Sequence, residues 1–314
     1  MNPTLSIVFF TTSSGAGFGL MMLVGLGVPL GLLPANPWFG VTALVVAGVL
    51  AVSGLVSSTL HLTHPERAWR AFSQWRSSWL SREGVLAVLS FVPAAIFAFC
   101  WVVLGDVWGF AGLCGILAAA GSVATLYCTG MIYASLKPIR QWHNGWVVPN
   151  YFALGLMSGL VLLDFVERFW VARPIGTAVL TIVAIIAAWR LKERYWRFID
   201  LSAAPSTVAS ATGLGRRGAV RMLEPPHTEE NYLLKEMGFR VARTHAARLR
   251  LIARLAAFLA PALLTLVALI WSGIGIVAAF LAVLAAGLGL IIERWLFFAE
   301  ARHTVTLYYG AETV

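Results

Sequence analysis

Long apolar stretches separated by short polar segments run along the whole chain. A stretch of about 20 apolar residues is long enough to cross the bilayer core as a helix, and helices satisfy every backbone polar group internally. We therefore predict an all-α protein, a bundle of eight transmembrane helices that forms a single integral membrane domain over residues 1–314. The predicted spans are residues 9–33, 38–60, 84–104, 107–133, 149–169, 174–191, 252–271 and 274–299.

Basic residues lie mostly in the loops on one side of these spans. The loops after spans 1, 3 and 7 contain no Lys or Arg, whereas the loop after span 4 has Lys137 and Arg140. Such an excess marks the cytoplasmic side. We therefore expect both termini and the even-numbered loops to face the cytoplasm. The loop after span 2 carries Arg67, Arg70, Arg76 and Arg82, and the one after span 6 begins with Arg190, Lys192, Arg194 and Arg197.

Composition agrees with this membrane assignment. Hydrophobic residues make up 59% of the chain and charged residues 12%, with a mean hydropathy of +0.81, whereas a soluble domain carries about 25% charged residues. The net charge of +9 (23 basic minus 14 acidic residues) would suggest nucleic acid in a soluble protein. Here positive-inside topology explains it, so we expect no nucleic-acid partner.

Two cytoplasmic segments are predicted to do more than connect spans. Residues 61–83 place Trp69, Phe72 and Trp75 at helical spacing with arginines between them, which is typical of an amphipathic helix in the interface plane. Lipid contact alone would account for that pattern, and partner binding is the alternative. Residues 198–250 form an unusually long cytoplasmic loop, which we interpret as a docking segment for a soluble partner.

The first span is rich in small residues, including the Gly15–Gly19 GxxxG pair. Small residues let helix backbones approach closely in lipid, so helix packing is one interpretation. The other is that Thr11 to Ser14 line a polar pocket near the cytoplasmic end.

The histidines and cysteines argue against a metal cofactor in this chain. None of the six histidines lies at the middle of a predicted span, where a transmembrane haem would need two axial ligands on facing helices. The cysteines, Cys100, Cys114 and Cys128, form no CxxC motif. We therefore expect no haem and no iron–sulfur cluster here.

Polar and ionisable residues gather at the cytoplasmic ends of the spans. Ionisable groups inside a span are costly and mark functional sites by default, although snorkelling or structural pairing is the alternative for Glu293 and Arg294. A quinone headgroup needs hydrogen-bond donors near its carbonyl oxygens, a titratable group and an apolar path for its tail. We take the following residues as the candidate quinone site: His61, Arg67, Tyr133, Glu293, Arg294 and His303.

Three segments resemble the dimethyl sulfoxide reductase membrane-anchor (DmsC-like) family. STLHLTHPERAWRAFSQWRSSWLSREG resembles the family's segment after the second span, MIYASLKPIRQWHNGWVVPNYF its stretch between spans 4 and 5, and ERWLFFAEARHTVTLYYG the end of its last span. Span number and spacing agree over the whole chain. Within the family, TGLGRRGAVRMLEPPHTEENYLLKEMGFRVARTHAARLR resembles the subgroup that anchors quinone-linked sulfite dehydrogenase.

The resemblance implies a protein without redox metal that anchors two partners on the cytoplasmic face, a molybdopterin catalytic subunit and a ferredoxin-like iron–sulfur subunit. It also implies a site for ubiquinone or menaquinone, with His61 matching the family's histidine and Arg294 the arginine of its last span. The chain departs from the family pattern beside that arginine. Leu290 stands where the family has an acidic residue, and Glu293 is adjacent instead.

Electron transfer would follow from these partners, because the chain has no cluster of its own. For a sulfite-oxidising complex, electrons would pass from the partner to the quinone. Two other classes stay open at this point. A secondary transporter would show broken helices and charges at the midplane, whereas these spans are mostly uninterrupted. A purely structural anchor would have its quinone bound elsewhere.

Overall fold

The computed structural model describes residues 4–60, 62, 64–202, 206–221, 223–224, 241–309 and 311, with residues 241–244 described by their backbone only. Within these ranges, eight helices are long and apolar enough to cross a membrane, which confirms the predicted eight-helix, all-α architecture. The helices are α1 Leu5–Gly27, α2 Pro37–Ser57, α3 Trp79–Val102, α4 Gly109–Ala134, α5 Val147–Glu167, α6 Ile175–Leu201, α7 Val241–Ala253 continued by Arg254–Leu259 and Ala260–Ile270, and α8 Gly275–Ala299.

Successive helices run in opposite directions, so the bundle has two ends. At one end, the Ser57 hydroxyl at the end of α2 donates to the Ser6 carbonyl at the start of α1, over 3.1 Å. At the other end, the Trp101 indole of α3 donates to the Ala35 carbonyl between α1 and α2, over 3.0 Å. We call the end with the starts of α1, α3, α5 and α7 the basic end, and the other the opposite end.

Helix α6 is longer than the sequence predicts. The apolar pattern predicts an end at residue 191, whereas the helix continues to Leu201. Its added turns carry charges whose partners lie on α7: Glu193 pairs with Arg254 and Asp200 with Arg250. Hydropathy alone does not report such pairs, because each charged residue counts as unfavourable wherever its partner lies.

Helix α7 changes its winding where it enters the bundle. Arg254–Leu259 is π-helical and is followed by Pro261 in the first turn of Ala260–Ile270. Proline has no N–H to donate to the preceding turn, and a π-helical turn relieves the resulting crowding. Gly289 of α8 packs directly against the backbone of Ala257 in this turn.

Two GxxxG pairs bring α1 and α5 together. Gly19 of α1 packs against Gly155 of α5, and a Cβ atom on Gly159 would lie 2.6 Å from the Leu20 nitrogen. The backbones therefore touch where side chains would keep them apart, as small residues allow in lipid. This contact holds α1 and α5, which bear several of the polar residues described below, at a fixed separation.

The two extramembrane segments are only partly described. A 3₁₀ helix, Pro65–Gln74, follows α2, and its exposed Trp69 and Trp75 rings lie beside Arg70 and Arg76. In the predicted loop 198–250, the structure describes the end of α6, a short helix over Val208–Thr212 and the start of α7. The rest of that loop, residues 203–205, 222 and 225–240, lies outside the described residues.

We expect Gly159→Ala to lower the free energy of unfolding by about 1–3 kcal/mol, because the methyl group would overpack the α1–α5 contact. The matched control is Gly48→Ala, where an added Cβ meets nothing within 4 Å. That control should be neutral or slightly stabilising, because alanine favours helices over glycine. Denaturant or thermal unfolding of both variants in detergent measures the difference, and equal stabilities would contradict the packing argument.

Candidate functional site

Three charged side chains are buried together at the basic end. Lys192 of α6 forms an ion pair with Glu293 of α8, and the Arg294 Nε atom lies 3.4 Å from the second Glu293 oxygen. None of the three is more than 3% exposed. Burying an ion without a partner in such surroundings costs several kcal/mol, so the pairing is a condition for these helices to pack.

Aromatic rings enclose the two cations. The Arg294 guanidinium lies 3.9 Å from the centre of the Tyr151 ring, and the Lys192 ammonium lies 4.2 Å from that of Tyr195. Tyr133 stacks on Tyr151, with ring centres 5.5 Å apart and planes inclined by 17°. Ring faces attract cations most strongly when water is excluded, so this cage offsets part of the desolvation cost.

Further ion pairs extend from this cluster to the surface. Arg250 of α7 bridges Glu300 and Asp200, at 2.8 Å and 2.7 Å, and Asp200 is about half exposed. Burial raises the pKa of Glu300, which lies just beyond the end of α8. These pairs, together with Glu193–Arg254, tie α6, α7 and α8 into one electrostatic unit.

A buried carboxyl group lies on a different pair of helices at the same end. Glu83, in the first turns of α3, is 3% exposed and accepts a hydrogen bond from the Thr129 hydroxyl of α4. Thr129 also donates to its own helix, at the Thr125 carbonyl, over 3.0 Å. The hydrogen bond therefore joins α3 to α4 around a buried carboxyl group, a type of group that can hold and release a proton.

An apolar crevice leads toward these polar groups. It spans about 620 Å³, open space included, between α1, α2, α5 and α8, and Phe9 and Ile291 at its edge are 45% and 38% exposed on the lipid-facing surface. Thr12, Ser158 and Leu290 also line a second, polar space of about 310 Å³, counted with its open gaps. Thr11, Thr129, Tyr151 and Arg294 line that polar space.

The two spaces share the wall formed by Thr12, Ser158 and Leu290, so they adjoin between the lipid-facing surface and the buried charges. The crevice is lined almost wholly by apolar side chains, and the polar space ends at the Arg294 guanidinium and the Thr129 hydroxyl, behind which lies Glu83. The polar space is narrow, so a ring could enter only if side chains moved. Such a pair of spaces fits a molecule with a long apolar tail and a polar head.

The structure brings together half of the residues proposed from the sequence. Tyr133, Glu293 and Arg294 lie in one cluster around the Tyr151 ring. Arg67 is exposed on the 3₁₀ helix, with its Nε atom 3.7 Å from Glu66. His303 follows α8 and accepts from the Val305 N–H over 3.0 Å, and partial burial lowers its pKa. His61 lies outside the described residues.

Sequence reasoning missed Glu83, Lys192 and Tyr195 as parts of this site. Glu83 was placed one residue before the predicted third span, and Lys192 one residue after the sixth, where a basic residue counts only as a topology signal. A charged residue within one turn of a predicted span boundary is the sequence signal that would have found Glu83 and Lys192. Such residues become buried when the helix is longer than its apolar stretch.

A second buried ionic cluster lies at the opposite end. Arg168 donates two hydrogen bonds to Asp164, at 2.9 Å and 3.1 Å, and a third to the Ala268 carbonyl of α7 over 2.8 Å. Thr177 of α6 donates to Glu167 over 2.5 Å. Asp164 is thus buried inside the protein at 1% exposure. The cluster clamps α5 to α6 and α7.

The described residues offer no site for a metal ion. No three of their His, Cys, Asp or Glu side chains come together as a possible ligand group.

The fold and the site define a multi-pass membrane protein with buried charges at one end of its bundle. Residues 1–310 match the family model described as DMSO reductase anchor subunit (DmsC), and the chain belongs to that family. It is similar to a subunit of the sulfite dehydrogenase of Allochromatium vinosum, with 34% identity over 98% of this chain and 99% of the relative. No solved structure matches the chain. The chain is a membrane anchor subunit of an oxidoreductase.

We expect Lys192→Met and Glu293→Leu each to lower the free energy of unfolding by about 3–5 kcal/mol. Lys192→Met leaves Glu293 with Arg294 alone, and Glu293→Leu leaves two buried cations without a carboxylate. The double variant should cost clearly less than the sum of the two. Thermal unfolding of the purified chain gives the three values. The control is Arg254→Met, whose pair with Glu193 is about one-third exposed and should contribute no more than about 1 kcal/mol. Additive single costs would refute a coupled pair.

Proposed function

We propose that this chain is the membrane anchor and quinone-reactive subunit of a molybdopterin oxidoreductase, and that the complex oxidises sulfite and reduces quinone. Family membership and the similarity to a sulfite dehydrogenase subunit support the anchor role and the choice of sulfite. The observation that carries the quinone assignment is the apolar crevice that leads from the lipid-facing surface to Arg294 and Thr129.

The crevice fits the isoprenoid tail of ubiquinone or menaquinone. Its wall is formed by side chains of α1, α2, α5 and α8, with hydroxyl groups only at Thr12, Ser13 and Ser158. The Ser13 and Ser158 hydroxyls donate to backbone carbonyls, at 2.8 Å in each case, so they present little unsatisfied polarity to a tail. The tail would thus lie in surroundings much like the lipid it leaves.

The polar space would receive the headgroup once side chains move, and its donors suit a quinone carbonyl oxygen. Arg294 is held by Glu293 and by the Tyr151 ring, so its guanidinium is fixed in place beside the space. A fixed guanidinium can donate to a carbonyl oxygen and favours the negative charge that develops there on reduction. A bound quinone would supply two-electron, two-proton chemistry, with the electrons coming from the partner's clusters.

Glu83 and the ion pairs would transfer protons to the reduced quinone. The Glu83 carboxyl contacts Thr129, which lines the polar space, so one hydroxyl separates it from the headgroup position. The Lys192–Glu293 pair adjoins Arg294 on the other side, and the Glu300, Arg250 and Asp200 pairs continue toward the surface. Protons consumed by quinone reduction would enter from the basic end along such groups.

The partners would dock at the basic end, which we propose faces the cytoplasm of a bacterial inner membrane. None of the residues of the 3₁₀ helix there is buried. Its Phe72 ring packs on the start of α3, 3.0 Å from the Cβ position of Gly84, which is the neighbour of Glu83. A ferredoxin-like iron–sulfur subunit on this helix would lie next to the headgroup position, with a molybdopterin subunit beyond it. His61, Arg67 and His303 stay proposed residues of the quinone site, on the sequence alone.

We expect Gly287→Leu to raise the KM for a long-tailed quinone several-fold and to change that for a tail-less analogue much less. A Cβ atom on Gly287 meets nothing within 4 Å, so the variant should fold, yet its side chain enters the crevice. The measurement is sulfite-dependent quinone reduction by the complex purified through this chain. Gly48→Leu is the control, since Gly48 has equally free space and is not among the crevice residues.

The same purification tests the anchor role directly. Molybdopterin and iron–sulfur subunits should co-purify with the chain, and sulfite should reduce the quinone analogue. Recovery of the chain without redox subunits would overturn the proposal. So would a Gly287→Leu variant whose KM changes by the same factor for the long-tailed quinone and the tail-less analogue.

We expect Glu83→Gln to lower quinone-coupled turnover by about 100-fold or more, as the loss of a proton-transferring group does. Turnover with a soluble artificial electron acceptor should stay at the wild-type rate, because the partner subunits are untouched. Glu167→Gln is the matched control: it changes a carboxyl group that is also buried and hydrogen-bonded to a threonine, but at the opposite end. Equal losses in both variants would show that Glu83 acts only structurally.

A further inference from the structure

A third cavity lies at the basic end, and it shares no lining residue with the crevice or the buried ion pairs. It encloses about 840 Å³, open space included, between the start of α5 and the last turns of α6. Its lining consists of Trp146, Arg194, Arg197, Phe198, Leu201 and Ser202. These residues take no part in the proposed quinone site.

The charge of this cavity is positive. Arg194 and Arg197 are one turn apart, so they share a face of α6, and both side chains are exposed. The Arg140 guanidinium lies 4.9 Å from the centre of the Phe198 ring, and its buried Nε atom has no hydrogen-bond partner among the described residues. The neighbouring cations Lys192, Arg250 and Arg254 all have a carboxylate partner. Among the described ion pairs, none involves Arg194 or Arg197.

The position of the cavity along α6 places it in the headgroup layer. This helix has 27 residues, so at 1.5 Å per residue it measures roughly 40 Å, whereas the hydrocarbon core is about 30 Å thick. Its last turns therefore lie among lipid headgroups. Leu201 is 78% exposed there, and the Trp146 indole forms the facing wall. Tryptophan is enriched at this depth of the membrane.

We propose that this cavity binds an anionic phospholipid of the leaflet at the basic end. The Arg194 and Arg197 guanidinium groups would hold the phosphate, for which a planar guanidinium fork is well suited. Leu201 and Trp146 would contact the glycerol and the first acyl carbons. Basic pockets among transmembrane helices at the headgroup level bind lipids of this class. An acidic surface of a partner protein fits less well, because the exposed leucine and the indole match a lipid.

The test is lipid binding by the full-length purified chain. Native mass spectrometry in detergent would measure the binding of phosphatidylglycerol and of phosphatidylcholine, and an unfolding scan would follow stabilisation by each. We expect phosphatidylglycerol to bind more tightly, and Arg194→Gln/Arg197→Gln to weaken that binding about 30-fold. Arg194→Lys/Arg197→Lys, which keeps both charges, should restore part of it. Arg216→Gln/Arg217→Gln, two exposed arginines elsewhere, is the control and should bind like the wild type.

The outcomes separate the possible occupants. Inorganic phosphate at millimolar concentration should neither displace phosphatidylglycerol nor stabilise the chain; stabilisation equal to that by the lipid would show a site for a free anion and overturn the proposal. Unchanged lipid binding in the glutamine variant would also overturn it. Loss of a co-purifying protein from that variant, with lipid binding unchanged, would assign the cavity to the partner instead.

Discussion

Lys192, Glu293 and Arg294 place two positive charges and one negative charge inside a bundle whose surroundings are hydrocarbon. No water is available there to solvate them, so each charge depends on the position of the others and on the rings around them. Helices α5, α6 and α8 can therefore pack only in the register that brings these groups together. The aromatic cage, the extension of α6 and the surface ion pairs all follow from that requirement.

The same arrangement gives the crevice its polar end. Arg294 is held by Glu293 and Tyr151, so its guanidinium stays at the boundary between the apolar path and the charged cluster. The close contact of α1 and α5 at Gly19 and Gly159 fixes the other wall. A bundle of this kind places a lipid-like crevice beside a polar space, the two environments on which the proposed quinone site depends.

The sequence predicted the number of spans well and their lengths less well. Apolar stretches of about 20 residues are unambiguous, because lipid tolerates little else. The error in α6 arose because hydropathy treats Lys192, Glu193 and Asp200 as loop residues, although their partners on α7 and α8 let the helix continue. For the candidate site, Tyr133, Glu293 and Arg294 were proposed from their place near span ends, and the structure brings them together. Glu83 was missed because its environment is created by α4.

Hydropathy and the loop charges by themselves determined the class of the protein, its eight helices and the end at which polar groups collect. These properties depend on the free energy of moving each segment into lipid, which is a sum over local residues. Only the tertiary structure decided which groups meet: Lys192 with Glu293, Glu83 with Thr129, and Trp146 with the arginine face of α6. Such contacts depend on how helices distant in the chain rotate against one another, and packing of small residues such as Gly19 and Gly159 sets that rotation.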